Sequence, residues 1–344
     1  MNSKKIAVTG ATGFLGRWTV ERMLSRGSQV VALGRDLAKG RELLVLGADF
    51  RSMGLSEVAA LTQAFEGVDT VVHCAGMSTP WGRREDFLAT NVVGTRNVLT
   101  AARTVGVRGV VHISSPSIYM AAGGGDRKNI SEEDALPREF INDYAWSKKL
   151  AEDEVDRFSA EGLPIVTLRP QAIVGPGDPS LFPRVIRLAK KGILPVIGSG
   201  MNQVDLTCVE NVVDAIELAM SATSHPLGHT FGKKYNISNG EPVSLYEVMK
   251  DVIDRLGYKV KKLKLPFYPT YYAASSLERI YRSVLLRRIE GLEPVLTRYS
   301  VCVLAFSRTL NIEAARRDLG YQPRVSTRAG IENFVRYVRS VQES

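Results

Sequence analysis

Cysteine is scarce in this chain: there are three in 344 residues, Cys74, Cys208 and Cys302, far apart and without C-x-x-C spacing. So sparse and odd a set argues against a disulfide framework or a structural zinc site, and suits a reducing compartment. No apolar run approaches the roughly 18 residues of a membrane span. The opening MNSKKIAVTG is charged and then strand-like, without the apolar core of a secretory signal. The expected location is cytoplasmic. Blocks of like charge, internal repeats and low-complexity tracts are also missing. The net charge of +9 therefore reads as a lysine- and arginine-rich surface, or as provision for an anionic cofactor or substrate. No nucleic-acid motif accompanies it.

What is present is an ordinary globular composition, 44% hydrophobic and 24% charged, in a length that suits one or two domains. Short β-branched runs alternate with helix-like segments: IAVTG, then FLGRWTVERMLSRG, then QVVALGR, with TVVHCAG, GVVHISS and LPIVTLRP further on. These strand candidates in the first 170 residues predict an α/β fold, a doubly wound parallel sheet with helices on both faces. Beyond Pro170 the Gly/Pro-rich VGPGDPSLFPR leaves the regular layers. VDLTCV and NVVDAIELAM then suit a return to the first domain. In YYAASSLERIYRSVLLRRI, helical spacing puts Leu277, Ile280, Tyr281, Val284 and Leu285 on one face, with Glu278, Arg279 and Arg282 elsewhere. Such a helix packs on its own domain, lines a pocket, or lies on a membrane surface through residues 271–289.

Three stretches carry chemistry. TGATGFLG, Thr9 to Gly16, stands between a strand and an amphipathic helix, the setting in which glycines let a pyrophosphate reach a helix amino terminus. At the end of the next strand, where an NAD site places an acid for the ribose 2′-OH, Gly34 and Arg35 stand instead. A guanidinium suits a 2′-phosphate, so NADP(H) is favoured, with NAD(H) kept open by Asp36. In YAWSK, Tyr144 and Lys148 share one helical face at i and i+4. A phenol of ordinary pKa near ~10 is a poor proton shuttle at neutral pH, and a neighbouring ammonium favours its ionised form. The serines of HISSPSIY, after the preceding strand, could bond a substrate oxygen near Tyr144.

Taken in order, TGATGFLG, VVHCAG, NVVGTRNV, HISSPSIY, YAWSK, LRPQAIVGPGD, VDLTCVENVVDAI and KYNISNGEPVSL cover nearly the whole chain. They resemble the extended branch of the short-chain dehydrogenase/reductase superfamily, the NAD-dependent epimerases and dehydratases. The resemblance implies a Rossmann domain over 1–170, rejoined by about 204–235, and a smaller discontinuous substrate domain of 171–203 and 236–344. It implies a catalytic Ser115, Tyr144 and Lys148, with Ser114 and Ser117 as alternatives for the serine. Lys148 would lower the Tyr144 pKa and bond the nicotinamide ribose, and Asn91 would brace the active site.

The resemblance further places Gly10, Thr12, Gly13, Phe14 and Leu15 along the pyrophosphate and ribose, and Asp49 and Phe50 beside adenine. Cys74, Ala75 and Gly76 would line the cofactor, with Ser114 nearby, and Pro170 and Ile173 would meet the nicotinamide. Met77, Pro116, Ser117 and Gln171 would face substrate. No metal is implied, and the family commonly forms homodimers, here through the helices after Asn91 and around Tyr144.

SSPSIY lacks the Asp-Glu pair of the sugar dehydratases. AGMSTPWGRREDFLATNVVGT and EPVLTRYSVCVLAFSRTLNIEAARRDLGYQP are similar to the 3β-hydroxysteroid dehydrogenase-like group, which includes 2-alkyl-3-ketoalkanoate reductases. The activity implied is ketone–alcohol interconversion on an apolar small molecule: a β-keto acid, a sterol-like ring or a polyketide. Two alternatives stand: a nucleotide-sugar epimerase with tightly held NAD, for which Arg184 and Arg187 would bind the diphosphate, and a non-catalytic NADP-sensing regulator.

Overall fold

The computed structural model describes residues 4–223, 230–283 and 293–343. In chain order the first part contains β1 (Lys5–Thr9), α1 (Phe14–Ser25), β2 (Gln29–Gly34), α2 (Leu37–Val45), β3 (Asp49–Ser52), α3 (Val58–Ala64), β4 (Thr70–His73) and α4 (Arg84–Phe87). A π-helical turn (Leu88–Val93) leads into α5 (Gly94–Val105). Then come β5 (Gly109–Ile113), a 3-10 turn (Pro116–Tyr119), β6 (Arg127–Ile130), α6 (Asp143–Ala160), β7 (Ile165–Pro170) and β8 (Ile173–Val174). The remainder holds α7 (Leu181–Lys190), β9 (Ile193–Ile197), β10 (Gln203–Val204), β11 (Thr207–Cys208), α8 (Val209–Thr223), β12 (Lys234–Ile237) and β13 (Val243–Ser244). It ends with α9 (Leu245–Arg255), β14 (Lys261–Leu265), α10 (Phe267–Tyr281), α11 (Arg298–Ala305), β15 (Arg308–Leu310), α12 (Glu313–Leu319) and α13 (Thr327–Glu343).

Among the described residues seven strands pair in the order β12-β7-β5-β4-β1-β2-β3, all parallel. The period-two rule explains why this sheet is covered on both sides. Ile6, Val8, Val30, Ala32, Val72, Val111, Val166 and Leu168 face one core, which α1 and α8 close. Ala7, Val31, Leu33, Val71, Val110 and Ile165 face the other, which α3, α5 and α6 close. The chain leaves the sheet after Pro170 and returns to it with β12, whose Lys234 pairs Thr167 and Ile237 pairs Pro170. A separate core of Val174, Phe182, Leu194, Leu206, Val252 and Phe334 organises the rest. Among the described residues no helix is long and apolar enough to cross a membrane.

The face of α10 differs from the spacing-based expectation. Its buried positions are Thr270, Ala274 and Glu278, whereas Ile280 is exposed. Glu278 is drawn inward because its carboxylate accepts from the Arg298 backbone N–H and Nε, each at 2.7 Å. A charge pair has outranked the apolar stripe. Val284 and Leu285 lie outside the described residues.

One buried ion pair joins the carboxyl ends of three strands. Arg169, on β7, donates through Nε and Nη2 to the Glu152 carboxylate of α6 at 2.8 and 2.5 Å, with both side chains almost wholly buried. Ser114, just past β5, donates to the same carboxylate at 2.6 Å. Arg169 also donates to the Tyr119 hydroxyl at 2.5 Å, and Tyr119 in turn to Asn236 of β12 at 3.1 Å. Breaking one side of such a pair strands a charge in the interior and costs about 3–5 kcal/mol. Glu152→Gln should show that loss in chemical denaturation, and Glu152→Leu combined with Arg169→Met should be less destabilised than either single variant.

Candidate active site

At the carboxyl end of β1 the chain turns through Gly10, whose φ of +68° suits glycine. A Cβ there would stand 2.7 Å from the Ala75 backbone, so the loop after β4 closes directly on the glycine turn. Gly13 is the N-cap of α1; no side chain caps that end and no acidic residue occupies its first turn. The amino-terminal N–H groups and the helix dipole are thus left for an anion, and the cradle fits a pyrophosphate. Thr12 and Phe14 are half-buried beside it and Leu15 is buried. A Cβ at Gly34 would lie 2.6 Å from Thr12 Oγ1, so any side chain there would have to displace Thr12. Asp36 is the N-cap of α2, its carboxylate accepting from the N–H groups of Ala38 and Lys39 at 3.0 and 3.1 Å. Arg35, one residue earlier, is exposed.

Asp49 and Phe50 do not reach this cleft. Val31 pairs Asp49 and Gly34 pairs Ser52, so Asp49 begins β3 at its amino end, away from the strand ends that bind ligands. Asp49 is exposed and paired with Arg51 at 2.9 Å, and the Phe50 ring packs beneath Gly40 of α2. The assignment beside adenine is corrected on these grounds; Met53 and Gly54 follow the carboxyl end of β3 instead.

Cys74, Ala75 and Gly76 follow β4. Burial pushes the Cys74 thiol up to about 12, leaving it a small neutral side chain. A Cβ on Gly76 would stand 3.3 Å from both Asn91 Oδ1 and Lys148 Nζ, so these three groups share one corner. Asn91 lies in the π-helical turn, a distortion frequent at functional sites. Its Oδ1 accepts from the Met77 N–H at 2.7 Å, and its Nδ2 donates to Met77 O at 3.1 Å and Ser147 Oγ at 2.9 Å. Asn91 therefore pins the loop after β4 to the helix of the YAWSK motif.

Tyr144 and Lys148 occupy the first turns of α6, which Asn142 caps by accepting from the Ala145 N–H at 2.9 Å. Both are buried. The phenol is pushed up to about 12 by burial, against which the facing hydroxyls of Ser115 and Ser117 favour the ionised form. Lys148 lies one helical turn further along α6. The ammonium donates to the Ile113 carbonyl at 2.9 Å and is pushed down to about 8 by burial, while Glu152 one turn on supports its charge. The expected lowering of the Tyr144 pKa is thus reversed, because desolvation of the phenol outweighs its neighbours.

Ser115 caps the 3-10 turn, accepting from the Ser117 N–H at 3.2 Å, and Ser114 faces away onto Glu152. Ser117 Oγ is buried without a well-aligned hydrogen bond to any described residue. These serines open on a cavity of about 100 Å³, lined also by Pro116, Gln171, Leu206, Tyr299, Phe306 and Arg308. Ala172 on its rim holds a φ of +39°, a strained backbone where the chain departs between Pro170, the end of β7, and Ile173, the start of β8. Met77 is half-buried on the Asn91 side. Tyr299 and Arg308 were not expected from the sequence, although a lone arginine inside the strand-like FSRTL is a signal of the kind that would find one. Among the described residues no histidine, cysteine or carboxylate cluster is placed to hold a metal ion. Asn91→Ala, which strands the Met77 N–H and C=O, should cost about 1–3 kcal/mol, and hydrogen exchange at the Met77 amide should accelerate.

The family model of the NAD dependent epimerase/dehydratase family matches residues 6–238. A 2-alkyl-3-oxoalkanoate reductase of Stenotrophomonas maltophilia is 35% identical over 330 residues, covering 96% of this chain and 98% of the relative. The Sterol-4-alpha-carboxylate 3-dehydrogenase, decarboxylating, of Mus musculus is 31% identical over 338 residues, covering 97% and 90%. In structure, DesIV, a dTDP-glucose 4,6-dehydratase of Streptomyces venezuelae solved with NAD, matches with a TM-score of 0.75 over 98% of both chains at 23% identity, a likeness of fold. With a family model spanning most of its length and relatives aligned from end to end, the chain belongs to the NAD dependent epimerase/dehydratase family.

Proposed function

We propose that this NAD(P)-dependent oxidoreductase interconverts a ketone and a secondary alcohol on an apolar 3-oxo or 3-hydroxy acid, using NADP(H). The observation that carries the reading is the meeting of Ser115, Ser117 and Tyr144 at the edge of a largely apolar cavity, with Lys148 one helical turn along. Hydride exchange at the carbon is the chemistry a bound nicotinamide supplies. Ser115 donates a hydrogen bond to the substrate oxygen and holds it beside the phenol. Tyr144, held protonated by burial, gives its proton to that oxygen as alkoxide character develops, because an alkoxide is a stronger base than even this phenolate. The serine hydroxyls and the Lys148 ammonium then offset the charge left on the ring. Residues 171–203 and 236–344 supply the far wall, including Leu181, Leu245 and Val303.

Two of the relatives' names describe the same arrangement: a carboxylate on the carbon next to the one reduced or oxidised. That supports the 3-oxo acid over a neutral ketone. For the cofactor, Gly34 leaves no room for an acid, Asp36 is engaged as a helix cap, and the neighbouring cation Arg35 is exposed.

Tyr144→Phe should lower NADPH oxidation with a 2-alkyl-3-oxo acid by about 10²–10⁴-fold while NADPH binding by fluorescence persists; a fully active variant would refute the assignment. Arg35→Ala should weaken NADPH by about tenfold and NADH much less. Equal loss for the two would remove the NADP preference.

A further inference from the structure

Among the described residues Arg308 is the one cavity-lining side chain that carries a formal charge. It sits on β15, between Val204 of β10 and Arg127 of β6, and is 7% exposed. Three other arginines set into the fold are compensated. Arg169 holds Glu152, Arg298 holds Glu278, and Arg22 bridges Asp214 and Glu217 at 2.6 and 2.8 Å. Among the described residues no carboxylate forms an ion pair with Arg308. Its charged or ionisable neighbours are Tyr299, Cys302 and Arg127, the last a like charge already engaged with Asp134 at 3.1 Å. Burial pushes the Arg308 guanidinium below its ordinary pKa, though not toward neutrality, since an arginine stays charged in proteins.

A buried, uncompensated cation is costly unless an anion arrives with a ligand. The cavity wall holds no acid to provide it. The same cavity is lined by Ser115 and Ser117, whose hydroxyls face Tyr144. The cavity thus offers hydroxyls that suit a carbonyl or alcohol oxygen and a guanidinium that suits a planar anion, with Leu206, Leu245, Val303 and Phe306 among its apolar lining. A guanidinium fork matches a carboxylate through two parallel hydrogen bonds.

We propose that Arg308 is the specificity-determining residue of the site: it binds the substrate carboxylate and selects 3-oxo and 3-hydroxy acids over their neutral esters and ketones. The assignment rests on the ketone–alcohol reading above, and it also makes a claim about anion binding that stands apart from turnover. With bound acid, Arg308 fixes how deep the molecule enters and so which carbon lies beside Ser115. It takes no part in proton or hydride movement.

The test compares a 2-alkyl-3-oxo acid with its methyl ester, using NADPH and the full chain, in wild type, Arg308→Gln and Arg308→Lys. The wild type should favour the acid, and the acid-to-ester ratio of kcat/KM should fall by about tenfold or more in Arg308→Gln. The fall should be carried by KM, and Arg308→Lys should recover part of it. An unchanged ratio overturns the proposal. The second measurement needs no turnover: decanoate should raise the melting temperature of the wild type and not of Arg308→Gln, whereas methyl decanoate should not distinguish them. If no 3-oxo acid is reduced but decanoate binding still depends on Arg308, the reductase reading fails and the anion site survives. Equal decanoate binding by the two proteins sinks the anion site whatever the activity. Without ligand, Arg308→Gln should melt no lower than wild type, because it removes an unpaired charge; a marked loss, shared by Arg308→Lys, would mark the arginine as structural instead.

Discussion

The bidentate contact between Arg169 and Glu152 governs how the site is assembled. It lies beneath the carboxyl ends of β5, β7 and β12, and each of those strands reaches it through a different side chain. Remove it and the Ser114 and Tyr119 hydroxyls lose their partners in it, which loosens the 3-10 turn that carries Ser115 and Ser117. A buried ion pair is a weak source of net stability, because desolvating both charges offsets their attraction. Its value here is geometric: one carboxylate, with two lone pairs per oxygen to satisfy, admits few arrangements of the three donors that meet it.

The same carboxylate enters the chemistry at one remove. Glu152 follows Lys148 by one helical turn and is the largest influence holding that ammonium charged against its burial. Burial acts on both members of the pair in the neutral direction, raising the Tyr144 phenol and lowering the Lys148 ammonium. A dry site of this kind keeps the proton on tyrosine until an oxygen basic enough to take it is formed. It also strengthens every hydrogen bond aimed at that oxygen, since the screening water is excluded.

Much of this was legible in the sequence because it depends on local pattern. The alternation in IAV and QVVALG that sends neighbours to opposite cores is visible in the letters, and so are the glycine turn and the shared face of Tyr144 and Lys148. What was misread depends on distances that pattern does not encode. Asp49 and Phe50 were placed by the family resemblance, yet the register of β3 against β2 puts them at the wrong end of the strand. On α10 the apolar stripe predicted one buried face, and a contact between Glu278 and Arg298, twenty residues apart, selected another. The Tyr144 pKa was judged from its i+4 neighbour, whereas burial by distant segments decides it.

Arg169 and Arg308 show how the fold separates structural from functional charge. Both are deeply buried arginines in strands, and a composition count treats them alike. Arg169 is satisfied by its own chain and can be explained without reference to any ligand. Arg308 is not, and the surrounding residues deepen the deficit: a second guanidinium on β6 and apolar side chains lining the same cavity. Folding alone gives no reason to leave a cation in such a place, since a leucine or methionine of similar volume would pack there at lower cost. The deficit makes sense when the missing charge arrives with the molecule that the site is built to receive, so that the energy lost in the free protein is recovered on binding.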